Sequence, residues 1–227
     1  MNNGQTDLEK LQAKSISVLK SFMDLPEKDI RKKHLEILSS QISVSLINLM
    51  INFRFSETNK GEFESLVDND KAKIDNYIYN FVQNINESII ETALFQTELV
   101  FRYYYSKITG KTPGEERSLH KIIATLFNDI ENKWNKKEAQ FMILFWTLRN
   151  TIHTGGIYFH KQEGVNVKYN GKDYVFEYGK GPEFLKEGYT ITMVSDLLDY
   201  TQLLFESDLI KNLGSFDHPS YEALGYS

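Results

Sequence analysis

The sequence predicts a mainly α-helical bundle carrying one small antiparallel β-hairpin. Three observations lead there: apolar residues recur every three or four positions through most of the chain, an Asn-Gly pair separates two alternating segments, and the helical pattern resumes before the tail. The 227 residues are 41% hydrophobic and 25% charged, which suits one generous domain, 1–227, able to bury a substantial core. Within it we expect N-terminal helices over 1–55, core helices over 70–156, the hairpin over 157–182 and a closing helix over 190–213.

From Thr6 to Met23 the pattern is amphipathic, with Leu8, Leu11, Ser15, Val18 and Phe22 on one side. Pro26 suits the start of the next helix, with Glu27 and Asp29 in its first turn. That helix is predicted to reach Phe55 on a stripe of Leu35, Leu38, Ile42, Leu46, Leu49 and Phe53. Ile37, Val44, Ile47 and Ile51 give it a second apolar side, so it should be sandwiched inside the fold or against another protomer. Ser56 to Gly61 reads as a loop, followed by a short segment from Phe63 to Val67. A long helix is expected from Asp70 to Ser106 on a spine of Ile74, Ile78, Phe81, Ile85, Ile89, Phe95 and Leu99, with room for a break near Asn84 or Asn86. Ile108 to Glu116 is the most turn-rich stretch. Its Gly110-Lys111-Thr112 is no phosphate loop, because Tyr105 occupies the first glycine position and a helix precedes it. Leu119 to Lys133 should be a shorter helix built on Ile122, Ile123, Leu126, Phe127 and Ile130, with His120 on its surface.

After Gly156 the period changes from helical to alternating. Val165–Tyr169 and Lys172–Tyr178 flank Asn170-Gly171, a strong two-residue hairpin signal. The predicted register pairs Tyr169 with Lys172, Lys168 with Asp173, Val167 with Tyr174 and Val165 with Phe176. An isolated hairpin is marginal in water, so its apolar face must pack on the bundle. Thr190 to Leu213 closes the fold with Ile191, Val194, Leu197, Leu198, Leu204 and Leu209 facing inward. The tail 214–227 should be irregular and its His218 without a role.

Composition narrows the function. With no cysteine there is no disulfide, thiol catalysis or cysteine zinc site, which fits a reducing, cytoplasmic compartment. No secretory signal is expected at the start, nor a membrane partner; Val44 to Phe53 comes nearest to a spanning run. A net charge of -5 argues against broad sequence-independent nucleic-acid binding. A small substrate site would need locally gathered cations, for which Lys136, Lys137, Arg149, His153, His160 and Lys161 are the candidates.

The chemistry gathers at the end of an apolar run, Phe141 to Gly156. Read as a helix, Phe141, Leu144, Phe145, Leu148 and Ile152 form its buried side, widened by Met142 and Trp146. Arg149 and His153 are four residues apart and share a face of the last turn, with Asn150 beside them. Two readings share these residues. Helix termination accounts for all of them, since cations suit the negative end of the macrodipole and Gly155 or Gly156 can close the helix. Alternatively His153 is a general base and Arg149 a phosphate clamp. Glu98 and Arg102 share a face of the long helix at i,i+4, and Glu98 either pairs with Arg102 alone or crosses the bundle to orient Arg149.

The run Leu148-Arg-Asn-Thr-Ile-His153 at the end of a buried helix resembles the motif of the HEPN superfamily, with the helical context from about Asp70 to Gly156. Many members are metal-independent ribonucleases, often toxins or antiviral effectors, that join two motifs across a dimer; others only bind. The resemblance implies Arg149 and His153 as the catalytic pair, Asn150 as the polar residue that positions them, and Glu98 with Arg102 in support. It implies no cofactor and no metal, with a homodimer, RNA and a partner or antitoxin protein as the expected associations. Only Asn150, Thr151 and Ile152 separate the pair, an interval shorter than the family's usual one; each residue removed turns a helical side chain by roughly 100 degrees. Tyr158, Tyr169 and Tyr178 are the candidates for stacking on a base, unless these aromatics cover the core. A non-catalytic module binding a partner protein or nucleotide is the competing class. A metal-dependent hydrolase is disfavoured because the histidines lack paired ligand spacing.

Overall fold

A computed structural model describes residues 2–66, 70–128, 136–185 and 189–220. It is mainly helical with one two-stranded antiparallel sheet, as expected. The helices are α1 (Asn2–Lys20), α2 (Ile30–Thr58), α3 (Lys60–Leu66), α4 (Lys71–Thr109), α5 (Leu119–Asn128), α6 (Lys136–His153), α7 (Tyr189–Phe205) and α8 (Asp208–Asn212); the strands β1 (Val165–Tyr169) and β2 (Lys172–Phe176) lie between α6 and α7. Helix α4 is the central strut. It packs with α2 and α7, both of which also contact α1, and with α5 and α6, while β1 packs on α6.

Local chemistry sets the boundaries. Pro26 lies in a turn rather than in α2, and its carbonyl accepts from Asp29 N. Asp29 is the N-cap, its carboxylate accepting from Arg31 N at 2.9 Å, because an aspartate oxygen can satisfy an orphan amide and a proline cannot. The expected loop at 56–61 is instead a single break at Asn59 between α2 and α3. Helix α4 runs 39 residues without a break at Asn84 or Asn86, from an Asp70 cap to left-handed Gly110. Its buried second half follows Ile89, Ala93, Thr97, Phe101 and Tyr104, so Phe95 falls off the expected spine and is 39% exposed. Ile130 and the rest of 129–135 lie outside the described residues, as do Val67 and 221–227.

The hairpin register agrees pair for pair with expectation, and Asn170 and Gly171 take the positive φ of 52° and 76° that a two-residue turn demands. Val167, Tyr169, Tyr174 and Phe176 are buried against the bundle. The closing helix is two: α7 ends at Phe205, and Ser207 caps α8 by accepting from Ile210 N. The tail differs most. Residues 215–218 run back along the entry to α2, where Ile30 N donates to Phe216 O, His218 N to Lys28 O and Ser215 Oγ to Asp29 Oδ2. Residues 214–218 are irregular, as expected, apart from one isolated bridge between Asp217 and Asp29, but His218 is buried.

Helix α2 also departs from expectation. By length and composition it is apolar enough to cross a bilayer, although 44% of that window is buried inside the bundle and it begins with buried Arg31, Lys32 and His34. Its second apolar side is not sandwiched within the chain: Val44, Ile47, Ile51 and Phe55 are exposed.

Candidate functional site

The site is built where the last turns of α6 cross the middle of α4. Helix α6 ends because Gly155 and Gly156 take φ of 72° and 80°, letting Gly155 N reach Ile152 O and Gly156 N reach Thr151 O. This pair of bonds closes the helix in the manner of a Schellman motif. It fixes Arg149, Asn150 and His153 on a rigid last turn. From α4, Glu98 reaches across, its side chain only 8% exposed.

Both sequence readings of Glu98 hold at once. Its carboxylate takes Arg149 through Nε and Nη2, the latter 2.6 Å from Oε1, and the same Oε1 accepts Arg102 Nε at 2.8 Å. Arg149 Nη1 donates to Asn150 Oδ1 at 3.0 Å. His153 Nε2 lies 3.8 Å from Glu98 Oε2, beyond a hydrogen bond but within Coulomb reach. Burial alone would raise the Glu98 carboxyl, but hydrogen bonds and charge from Arg149 and Arg102 outweigh it and hold it below the usual carboxylate range.

His153 is the open member of the group, 43% exposed at its side chain. Its ring meets that of Phe95 edge-on at 4.8 Å. Partial burial, then the Arg149 charge, push the imidazole below its ordinary value, and the attraction of Glu98 only partly offsets them. A position in the last turn would by itself favour the cation, so desolvation wins here. The balance favours the neutral ring.

No protein-family model, curated protein or solved structure matches the chain.

Several expectations are corrected. Tyr158 is fully buried against Phe176, and Tyr169 is buried with its hydroxyl donating to Asp196 at 2.8 Å, so neither can stack on a base. The cationic patch does not form as a unit: Lys137 is twelve residues before Arg149 on α6, about 18 Å along the axis, and lies over the Tyr169 ring. The Lys136 side chain lies outside the described residues. His120 is exposed, as expected, with its ring edge-on to Trp146; His160 flanks the same indole at 5.1 Å, one turn before Asn150. Sequence reasoning missed Phe95 as a neighbour of His153. Its place three residues before Glu98, on the same helix face, was the available signal.

Proposed function

We propose that this protein is an HEPN-like, metal-independent endoribonuclease that acts as a homodimer in a toxin or antiviral-defence setting. The observation that carries the reading is an exposed imidazole on the same helix face as a largely buried guanidinium that one carboxylate holds in place. In the reaction His153 takes the proton from a ribose 2′-hydroxyl, whose oxygen attacks the adjacent phosphorus. Arg149 stabilises the charge on the phosphorane. The bond to the 5′ oxygen then breaks, that oxygen receives the proton from the imidazolium, and the products are a cyclic phosphate and a free 5′-hydroxyl. A depressed His153 supplies the neutral base that the first step needs.

The test is cleavage of a mixed RNA pool in excess chelator, with the cyclic phosphate ends counted and the protein's mass measured in solution. Loss of cleavage in a folded His153→Ala variant supports the assignment; equal cleavage by the variant sinks it. One observation favours a second reading, a non-catalytic module that binds a partner protein or nucleotide: Arg149 already has a full carboxylate partner within its own chain. Tight nucleotide binding by both wild type and His153→Ala, with no cleavage by either, would select that reading.

A further inference from the structure

Arg102 stands one turn beyond Glu98 on α4 and uses both sides of its guanidinium. Nε and Nη2 lie 2.8 and 2.7 Å from Glu98 Oε1, while Nη1 donates to the backbone carbonyl of Glu116 at 2.6 Å. Glu116 belongs to the turn-rich connection 110–118 between α4 and α5. Its carboxylate is itself held, accepting from Ser118 N at 3.0 Å and pairing with Lys121 Nζ at 3.0 Å. At the other end of the connection, Ser106 Oγ donates to Lys111 O. A continuous chain of charge-assisted bonds thus runs from the connection through Arg102 to Glu98 and on to Arg149, with His153 Nε2 3.8 Å from the same carboxylate.

The geometry makes the two arginines interdependent. Glu98 Oε1 receives both, so a shift of one guanidinium changes the lone-pair direction left for the other. An exposed i,i+4 pair would be too loose to transmit anything. Arg102 differs because its side chain is 20% exposed, its partner 8%, and its far edge is fixed to main chain. We propose that Arg102 is a positioning residue that couples the 110–118 connection to the Arg149–His153 cluster, so that a change in the connection's conformation is felt at the site. The proposal rests on that cluster being the working site, but its readouts need no RNA.

The experiment uses the full chain and two readouts: amide hydrogen exchange at Glu115 and Ser118, and the titration of the His153 ring by NMR, assigned with His153→Gln. In Arg102→Ala the connection's amides should exchange about tenfold faster. The His153 midpoint should rise as a cation leaves. Glu98→Gln, altered only at the site end, should speed the same connection amides. Arg102→Lys keeps the charge but loses the planar fork, so the amides should quicken while the midpoint stays; this variant also decides the matter should Arg102→Ala fail to fold. Amides unchanged within about twofold in both Arg102→Lys and Glu98→Gln would overturn the coupling. Absence of RNA cleavage by wild type would remove the ribonuclease reading alone.

Discussion

Acidification should destabilise this protein through a histidine outside the candidate site. His34 is fully buried in α2, its ring edge-on to Phe205 at 5.8 Å, and neither ring nitrogen has a hydrogen-bond partner among the described residues. Burial, reinforced by His218, pushes it down to about 3. The unfolded chain takes up the proton near 6.5 and the folded one does not, so stability is whole above that value and falls as pH drops toward the folded value. The loss runs at about 1.4 kcal/mol per pH unit and reaches about 2 kcal/mol at pH 5, a large share of a typical domain's stability. His218, pushed down to about 4 mainly by burial, falls in the same direction. Asp29 and Glu98 are held low by their arginines, so their stabilisation is lost only below the ordinary carboxylate range, and pH 7 to 5 isolates the histidines. Urea unfolding at several pH values should show the decline in wild type and a shallower one in His34→Leu, which should also be no less stable at pH 7 because it removes unpaired buried nitrogens. A wild-type stability flat from pH 7 to 5, or an equal slope in His34→Leu, would refute the reasoning.

The first cleavage step should rise with pH along a single acidic limb whose midpoint lies below the ordinary imidazole value, because His153 must be neutral to act as base and its proton is already held loosely; a limb centred above that value in the pH–rate profile would exclude it. Phe95→Ala should move the His153 midpoint upward toward its ordinary value in NMR titration, since the ring that shields the imidazole is removed. Gly164→Ala should cost about 2 kcal/mol in urea unfolding, because φ there is 74° and an added Cβ would sit 2.7 Å from Phe176 O at the mouth of the hairpin.

What could be read in advance depended on whether a feature was local. The hairpin was legible to the pair because Asn170-Gly171 admits one turn geometry and the side-chain period of two then leaves one register. Arg149, Asn150 and His153 were legible as one face because four residues of helix fix their direction. Phe95 was misplaced since the apolar stripe of α4 is broad, and which part of it is buried depends on where α6 and α7 dock. Tyr158 and Tyr169 carry composition suited to stacking, but burial is a property of the whole fold. Nothing in the sequence marks the Glu116 carbonyl as the acceptor of Arg102, or places His218 beneath the entry to α2, because main-chain acceptors look alike and tails have no periodicity to read.

The hold of Glu98 on Arg149 decides less against anion binding than it first suggests. A guanidinium carries five N–H donors in a fixed plane. Nε and one Nη2 hydrogen go to Glu98, and one Nη1 hydrogen goes to Asn150. Two hydrogens, one on each Nη, stay uncommitted among the described residues, and with the other three fixed they cannot swing away. The carboxylate thereby converts a flexible cation into an aimed one, which is what stabilising a developing phosphorane charge requires. Charge supports the same conclusion: two arginines, one carboxylate and a neutral imidazole leave the cluster at +1 inside a chain of net charge -5. Long-range attraction for a nucleic acid is therefore weak, and any affinity must come from contacts made at the cluster itself.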